Sequence, residues 1–210
     1  MRVNFQSITP DAERNIVEIA RVSSSRKDKK EDYEKLVRYL IDHGHWSPFE
    51  HSFMTLEIET SKAIAIQLIR HRSFTFQEFS QRYQDVSSID SNMFEDVVLR
   101  KQAESNRQSS IEDIEESSQL YTLLKTHLSE AEFLYRTMIM SGVSRETARM
   151  VLPLCTKTKI YMTGSIRSWI HFFSVRDDQH AQKEIQDIAK KAKRIFSHQL
   201  PVVAAAMKYT

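Results

Sequence analysis

The sequence predicts a single α+β domain. Two observations carry this. Segments with apolar residues at helical spacing mix with segments that alternate apolar and polar, and they do so without the regular strand–helix repeat of a parallel sheet. The chain has 210 residues, 40% of them apolar, which suits one domain over 1–210 with one sizeable core.

Taken in order, residues 2–8 read as a short strand ended by Pro10, and Asp11 is placed to cap a helix to about Val22. "SSSRKDKKED" is a polar connector. Tyr33, Leu36, Val37, Leu40 and Ile41 recur at helical spacing, so 30–43 is expected as a helix with one buried stripe, ended by Gly44. "HSFMTLEIET" puts Met54, Leu56 and Ile58 on one face and Thr55, Glu57 and Glu59 on the other, the pattern of a half-buried strand. "SKAIAIQLIRHR" follows as a helix capped by Ser61, with Ile64, Ala65 and Leu68 inward, and it delivers Arg70–Arg72 at its C-terminal end.

Residues 74–87 read as irregular to extended, and 95–99 as a further strand. "ESNRQSSIED" is the most polar stretch and is expected to be mobile. The longest helix is expected from near Ser110 to about Ser141, with Ile114, Tyr121, Leu124, Leu128, Ala131, Leu134 and Met138 as its stripe and Gly142 as its stop. Ser144 caps a short helix in "SRETARMVL", broken by Pro153. "TKTKIYMTG" has strand character. "SIRSWIHFFSVR" is a helix from near Ser165, and 178–197 is another, with Ala181, Ile185, Ile188, Ala192 and Ile195 inward.

Composition narrows the function classes. Thirty basic and 28 acidic side chains leave a net charge of +2, too balanced for a general nucleic-acid binder but compatible with a local pocket for a small anion. No apolar run approaches the roughly 18 residues of a membrane span, and "MRVNFQSITPDAERN" lacks a signal-peptide centre, so a soluble cytoplasmic protein is expected. One cysteine excludes an internal disulfide framework. Three glycines leave no glycine-rich dinucleotide loop, so any nucleotide must be held largely by side chains.

Four clusters carry chemistry. "HGHWSPFEH" holds His43, His45 and His51, which are a candidate metal set, but no second motif completes it, and backbone or ligand hydrogen bonding is the expected role. "RHRSFTFQEFSQRYQ" packs Arg70, His71, Arg72, Glu78, Ser80 and Arg82 among aromatics. Arginines in such a setting need a partner, for which a phosphate or Glu78 serves. "SRETARMVLP" adds Arg145 and Arg149, and "SIRSWIHFFSVRDDQHAQKEI" adds Arg167, His171, Arg176, His180 and Gln182. Cys155, in "LPLCTKTK", is expected as a small buried residue rather than a nucleophile.

These clusters resemble the flavin-dependent thymidylate synthases. "RHRSFTFQEFS" fits that family's RHR-x7-S motif. "HGHWSPFEH" keeps its spacing ahead of that motif, and "ETARMVLPL" and "SIRSWIHFFSVRDDQHAQKEIQ" follow in the family's order. The resemblance implies the fold of thymidylate-synthase-complementing proteins, with a mixed or antiparallel sheet flanked by helices. It implies reductive methylation of dUMP to dTMP, with methylenetetrahydrofolate as carbon donor and NADPH-reduced FAD as hydride source. It also implies homotetramers and no cysteine nucleophile.

By position, the resemblance implies FAD contacts at His45, Ser47, Arg70, His71, Arg72, Glu78, Ser165, Arg167 and His171. It implies dUMP contacts at Gln67, Arg70, Glu78, Phe79, Ser80, Gln81, Arg82, Arg149 and Arg176, the last as the group polarising the uracil, with no metal. The chain departs from the family pattern at Gln77, Ser165 and His171, where asparagine is usual. Two other classes account for parts of the pattern. One is a non-enzymatic nucleotide- or RNA-binding module, and the other a metal-dependent hydrolase built on His43, His45 and His51.

Overall fold

The computed structural model describes residues 1–23, 33–104, 106–107 and 109–209. Strands β1 (Arg2–Ile8), β2 (Phe53–Ser61), β3 (Phe74–Glu78) and β6 (Lys157–Ser165) form one sheet in the order β1-β2-β6-β3. The cross-strand partners set its direction. Thr55 meets Thr163, Glu57 meets Tyr161 and Glu59 meets Lys159, so numbers rise on β2 as they fall on β6. Thr9 with Phe53 and Asn4 with Glu57 do the same for β1 and β2. Gly164 against Phe74 and Lys159 with Phe79 do so for β3 and β6. The sheet is therefore antiparallel, and the α+β class expected from sequence holds.

The alternation that predicts β2 and β6 is also what stabilises them. Met54, Leu56, Ile58, Ile160 and Met162 are fully buried, while the polar residues between them pair across the strands.

Contacts divide the chain into two compact units. One comprises Arg2–Ile58, His71–Phe76 and Tyr161–Thr210. In it lie helices α1 (Ala12–Ala20), α2 (Tyr33–Asp42), α6 (Ile166–Arg176), α7 (Lys183–Gln199) and α8 (Pro201–Ala206). Helix α6 packs on α7, α7 on α8 and β1, and α2 on α8. A run of edge-to-face rings fixes α6: Phe74 on Trp169 at 4.8 Å, Trp169 on Phe172 at 5.7 Å and Phe173 on Phe196 at 5.3 Å. The buried Glu13 Oε1 accepts from the Val202 and Val203 N–H groups at 2.8 and 2.9 Å, which satisfies the first turn of α8.

The other unit comprises Met1, Glu59–Arg70 and Gln77–Ile160. It holds α3 (Lys62–Leu68), the hairpin of β4 (Arg100–Gln102) and β5 (Ser110–Asp113), α4 (Gln119–Met140) and α5 (Arg145–Ala148). Its core gathers Val86, Met93, Phe94, Ala131, Tyr135 and Ala148, with Cys155 packed at the margin.

Several expectations need correction. Asp11 does not cap α1; it sits at φ 48° with no side-chain hydrogen bond, and the helix ends at Ala20 in a short 3₁₀ turn over Arg21–Ser23. The connector at 24–32 lies outside the described residues. Residues 95–99 are not a strand; pairing starts at Arg100. The polar stretch is not simply a loop, because its last four residues form β5. Helix α4 therefore starts at Gln119, where Ser118 Oγ accepts the Leu120 N–H, and not near Ser110. Its stripe holds at Tyr121, Leu128, Ala131 and Met138, and Tyr135 is buried beside it, whereas Leu134 is 47% exposed. Helix α7 starts at Lys183, which leaves Ala181 outside it, and α8 was not expected.

Candidate active site

The anion-binding candidates of the first cluster hang on β3 and the turn after it. Ser61 starts α3 by accepting the Ile64 N–H, and the helix ends at Leu68, so Arg70 emerges exposed just past its last turn. Strand β3 then carries Gln77, exposed, and Glu78, half-buried. Glu78 Oε1 accepts from Lys62 Nζ at 2.8 Å and Thr158 Oγ1 at 2.9 Å. The Phe79 N–H donates to the Lys159 carbonyl at 2.8 Å, and the chain turns at Ser80, whose carbonyl accepts the Tyr83 and Gln84 N–H groups.

That turn buries Gln81 while leaving Arg82 57% exposed. The Gln81 amide nitrogen is buried with no acceptor among the described residues, a donor that a ligand oxygen would satisfy. Arg82 Nη2 lies 3.5 Å from Glu146 Oε2, and Arg149 Nε donates to the Glu146 carbonyl at 3.4 Å. Glu146 thus gathers two arginines that are far apart in sequence. Gln67 is half-buried on α3. Lys62, which sequence reasoning missed, turns out to be the fixed partner of Glu78.

The other group of candidates is built around α6. Ser165 is buried and caps the helix by accepting the Ser168 N–H, and its hydroxyl donates to Glu50 Oε2 at 2.6 Å. Glu50 Oε1 holds Arg167 Nη1 at 2.9 Å. One carboxylate therefore joins two expected site residues. It lies inside "HGHWSPFEH", where the histidines and Ser47 stand out in the sequence and Glu50 does not. A cavity of about 680 Å³ opens here, lined by Trp46, Glu50, Ser73, Arg167, His171 and Met207. His45 and Ser47 flank Trp46, and both are exposed. His43 stacks on Tyr39 at 4.1 Å, with His45 6.0 Å away. Among the described residues no three His, Cys, Asp or Glu side chains form a group that could hold a metal ion.

At the far end of α6, Arg176 Nε donates to His71 Nε2 at 2.8 Å. That bond needs a lone pair on Nε2, so His71 is neutral with its proton on Nδ1. Burial of the ring, then the charge of Arg176, then His171, hold its pKa down at about 4. Its ring packs on Phe172 at 5.0 Å. Burial also lowers the Arg176 pKa, yet the group forms no ion pair among the described residues. A half-buried guanidinium whose only partner among the described residues is a neutral ring keeps its terminal fork for something else. Arg72 is exposed.

Comparison with known proteins decides the family. The family described as thymidylate synthase complementing protein matches residues 5–202. A flavin-dependent thymidylate synthase of Synechocystis is 45% identical over 192 residues, 90% of this chain and 86% of its own. A probable flavin-dependent thymidylate synthase of Paramecium bursaria Chlorella virus 1 is 40% identical over 201 residues, 94% and 91% of the two chains. The protein belongs to the flavin-dependent thymidylate synthase family. Among solved structures, the UMP/dUMP methylase PolB of Streptomyces cacaoi, bound with 5-Br dUMP, matches at a TM-score of 0.85 with 27% identity, covering 99% of this chain and 94% of that one.

Membership in the flavin-dependent thymidylate synthases makes this chain an enzyme and fits the two groups of side chains. One is rich in exposed arginine beside an unpaired buried amide. The other combines a cavity, a histidine and an unpaired arginine. No helix among the described residues is long and apolar enough to cross a membrane.

Proposed function

We propose that the protein methylates dUMP to dTMP, with methylenetetrahydrofolate as carbon donor and FAD, reduced by NADPH, as hydride source. The observation that carries the reading is Arg176, which is half-buried, bonded to neutral His71 and free of any carboxylate partner among the described residues. A fixed cation of this kind stabilises negative charge developing on a uracil carbonyl and favours loss of the ring N–H proton.

On this reading Gln67, Arg70, Glu78, Phe79, Ser80, Gln81, Arg82 and Arg149 bind dUMP, with Arg82 and Arg149 for the phosphate. The Gln81 amide fits such a ligand, since it supplies a donor that has no acceptor among the described residues. FAD would be held by His45, Ser47, Arg70, His71, Arg72, Glu78, Arg167 and His171, with Ser165 acting through its cap of α6 and its bond to Glu50. The cavity over Arg167 and His171, walled by Trp46 and Met207, combines an apolar wall with cationic and imidazole donors, which fits a flavin nucleotide. When bound and reduced, FAD supplies hydride. The protein's part is to place donors, exclude water and hold Arg176.

Self-association as a homotetramer is part of the proposal. It is supported by the apolar residues that α4 leaves exposed, Leu120, Leu123, Phe133 and Leu134. The proposed setting is the cytoplasm, in keeping with one cysteine and no disulfide.

The test is to release and identify the flavin, then to assay dTMP formation from dUMP with NADPH and methylenetetrahydrofolate. Yellow protein that bleaches with NADPH and forms dTMP is expected. Colourless protein, or no dTMP from flavin-loaded protein, overturns the reading. Sedimentation giving a monomer overturns the tetramer.

A further inference from the structure

Two carboxylates follow Arg176 directly, Asp177 and Asp178, at the C-terminal end of α6. Their position is puzzling. That end of a helix carries partial negative charge, so acids there are unfavourable for the helix. They are also the carboxylates that stand next to Arg176 in the sequence.

Neither is paired with it. Asp177 Oδ2 is bound by Lys193 Nζ of α7. The lysine is itself fixed, because its Nζ lies 4.9 Å from the centre of the Tyr209 ring. Tyr209 packs edge-on to Phe173 at 5.8 Å and to Phe196 at 6.1 Å, which ties Lys193 to the body of α6 and α7. Asp178 Oδ1 accepts the His180 N–H at 2.8 Å and meets His180 Nδ1 at 2.7 Å. The Asp177–Lys193 pair is the more enclosed, with side chains 16% and 25% exposed, so solvent screens it less than the pair at Asp178.

We infer that Lys193 is a positioning residue for the reaction: by occupying Asp177 it keeps that carboxylate off Arg176 and leaves the guanidinium fork for substrate. Tyr209 holds the lysine in place. This rests on the reading that Arg176 acts on the uracil. Lys193 would touch neither substrate nor flavin, and its effect would pass through Asp177. An Arg176–Asp177 pair would cancel the charge that the reaction needs and turn the fork away from the site.

The experiment compares Lys193→Met, Lys193→Arg, the double variant Lys193→Met/Asp177→Asn, and Arg176→Ala, each as flavin-loaded enzyme. Lys193→Met should lower kcat by about tenfold or more, the scale set by displacing one charged hydrogen-bonding partner. Flavin content and the KM for dUMP should change little. Lys193→Arg should restore most of the rate. The double variant should recover to near wild type, because no carboxylate is left to capture Arg176, whereas a merely structural ion pair would not be rescued by removing its other half. A Lys193→Met enzyme with wild-type kcat overturns the inference, as does a double variant no faster than Lys193→Met. If Lys193→Met does not fold, the double variant and Asp177→Asn carry the test. There, kcat more than about tenfold below wild type in well-folded enzyme overturns the inference. Wild-type turnover by Arg176→Ala overturns the underlying role of Arg176 instead.

Discussion

His71 gives the sharpest quantitative prediction. Its pKa is held at about 4, against 6.5 for a free imidazole, chiefly by burial and then by Arg176. The sign follows from proton counting. Between these two values the unfolded chain binds a proton that the folded protein refuses, so acid favours unfolding. The contribution is intact above about pH 6.5 and is lost as pH falls towards 4. By linkage, the loss is about 1 kcal/mol near pH 5.5 and about 2–3 kcal/mol near pH 4.5. Protonation would also remove the acceptor that Arg176 uses at 2.8 Å and set two cations against each other.

His71→Gln isolates the effect. An amide oxygen can still accept the Arg176 N–H, but it does not titrate. Urea unfolding of flavin-free wild type and variant should be compared at several pH values and one protein concentration, because bound flavin, which His71 is proposed to contact, would stabilise the two proteins unequally. Other acidic groups contribute equally to both proteins and cancel. The wild type should fall more steeply by the amounts above. Parallel pH dependences for the two proteins would refute a neutral, buried His71. So would an imidazole resonance for His71 that titrates near 6.5, the unperturbed value.

Three further outcomes follow from the same structure. Arg82→Ala should weaken dUMP binding roughly ten- to a hundred-fold, the cost of one charged hydrogen bond, with little loss of stability, since the Arg82–Glu146 pair is exposed; an unchanged dissociation constant in a titration moves Arg82 off the phosphate. Cys155→Ala should keep activity, because burial pushes the thiol pKa up and leaves it protonated at neutral pH; an inactive variant that still folds and binds flavin would give the thiol a catalytic role. Gly164→Ala should destabilise by about 1–3 kcal/mol, since a Cβ there would stand 2.5 Å from the buried Phe74 ring; an unshifted urea midpoint would show that the ring can move aside.

What was legible in the sequence depended on the kind of force involved. Strands β2 and β6 were readable because a single force, burial at every second residue, writes itself into the letters. Helix α3 was readable because Ser61 bonds within its own turn. The start of α4 was not, because the preceding residues are recruited into a hairpin held by Arg100–Asp113 and Lys101–Glu112. Those partners stand across a turn and leave no periodic trace. The buried face of α4 was legible only in part, for a related reason. Apolar residues almost encircle it, so the sequence offers several stripes, and Tyr135 is inward while Leu134 is outward.

The same division runs through the candidate site. Residue types announce chemistry, so the arginines and histidines stood out at once. Their electrical state is set by partners that the chain order hides. Glu50 couples Ser165 to Arg167, Lys62 fixes Glu78, and Lys193 occupies Asp177. Arg176 shows why this matters. From the letters "VRDDQ" it is an arginine beside two acids, the ordinary recipe for a neutralised surface pair. In the fold Asp177 is held by Lys193 and Asp178 by His180, and the contact of Arg176 itself is an imidazole that must stay uncharged. The availability of that positive charge is therefore a tertiary property. It depends on His71, Lys193 and Tyr209 reaching α6 from three other parts of the chain, which is why a substitution at Lys193 or Tyr209 is expected to act on the reaction without touching its substrates.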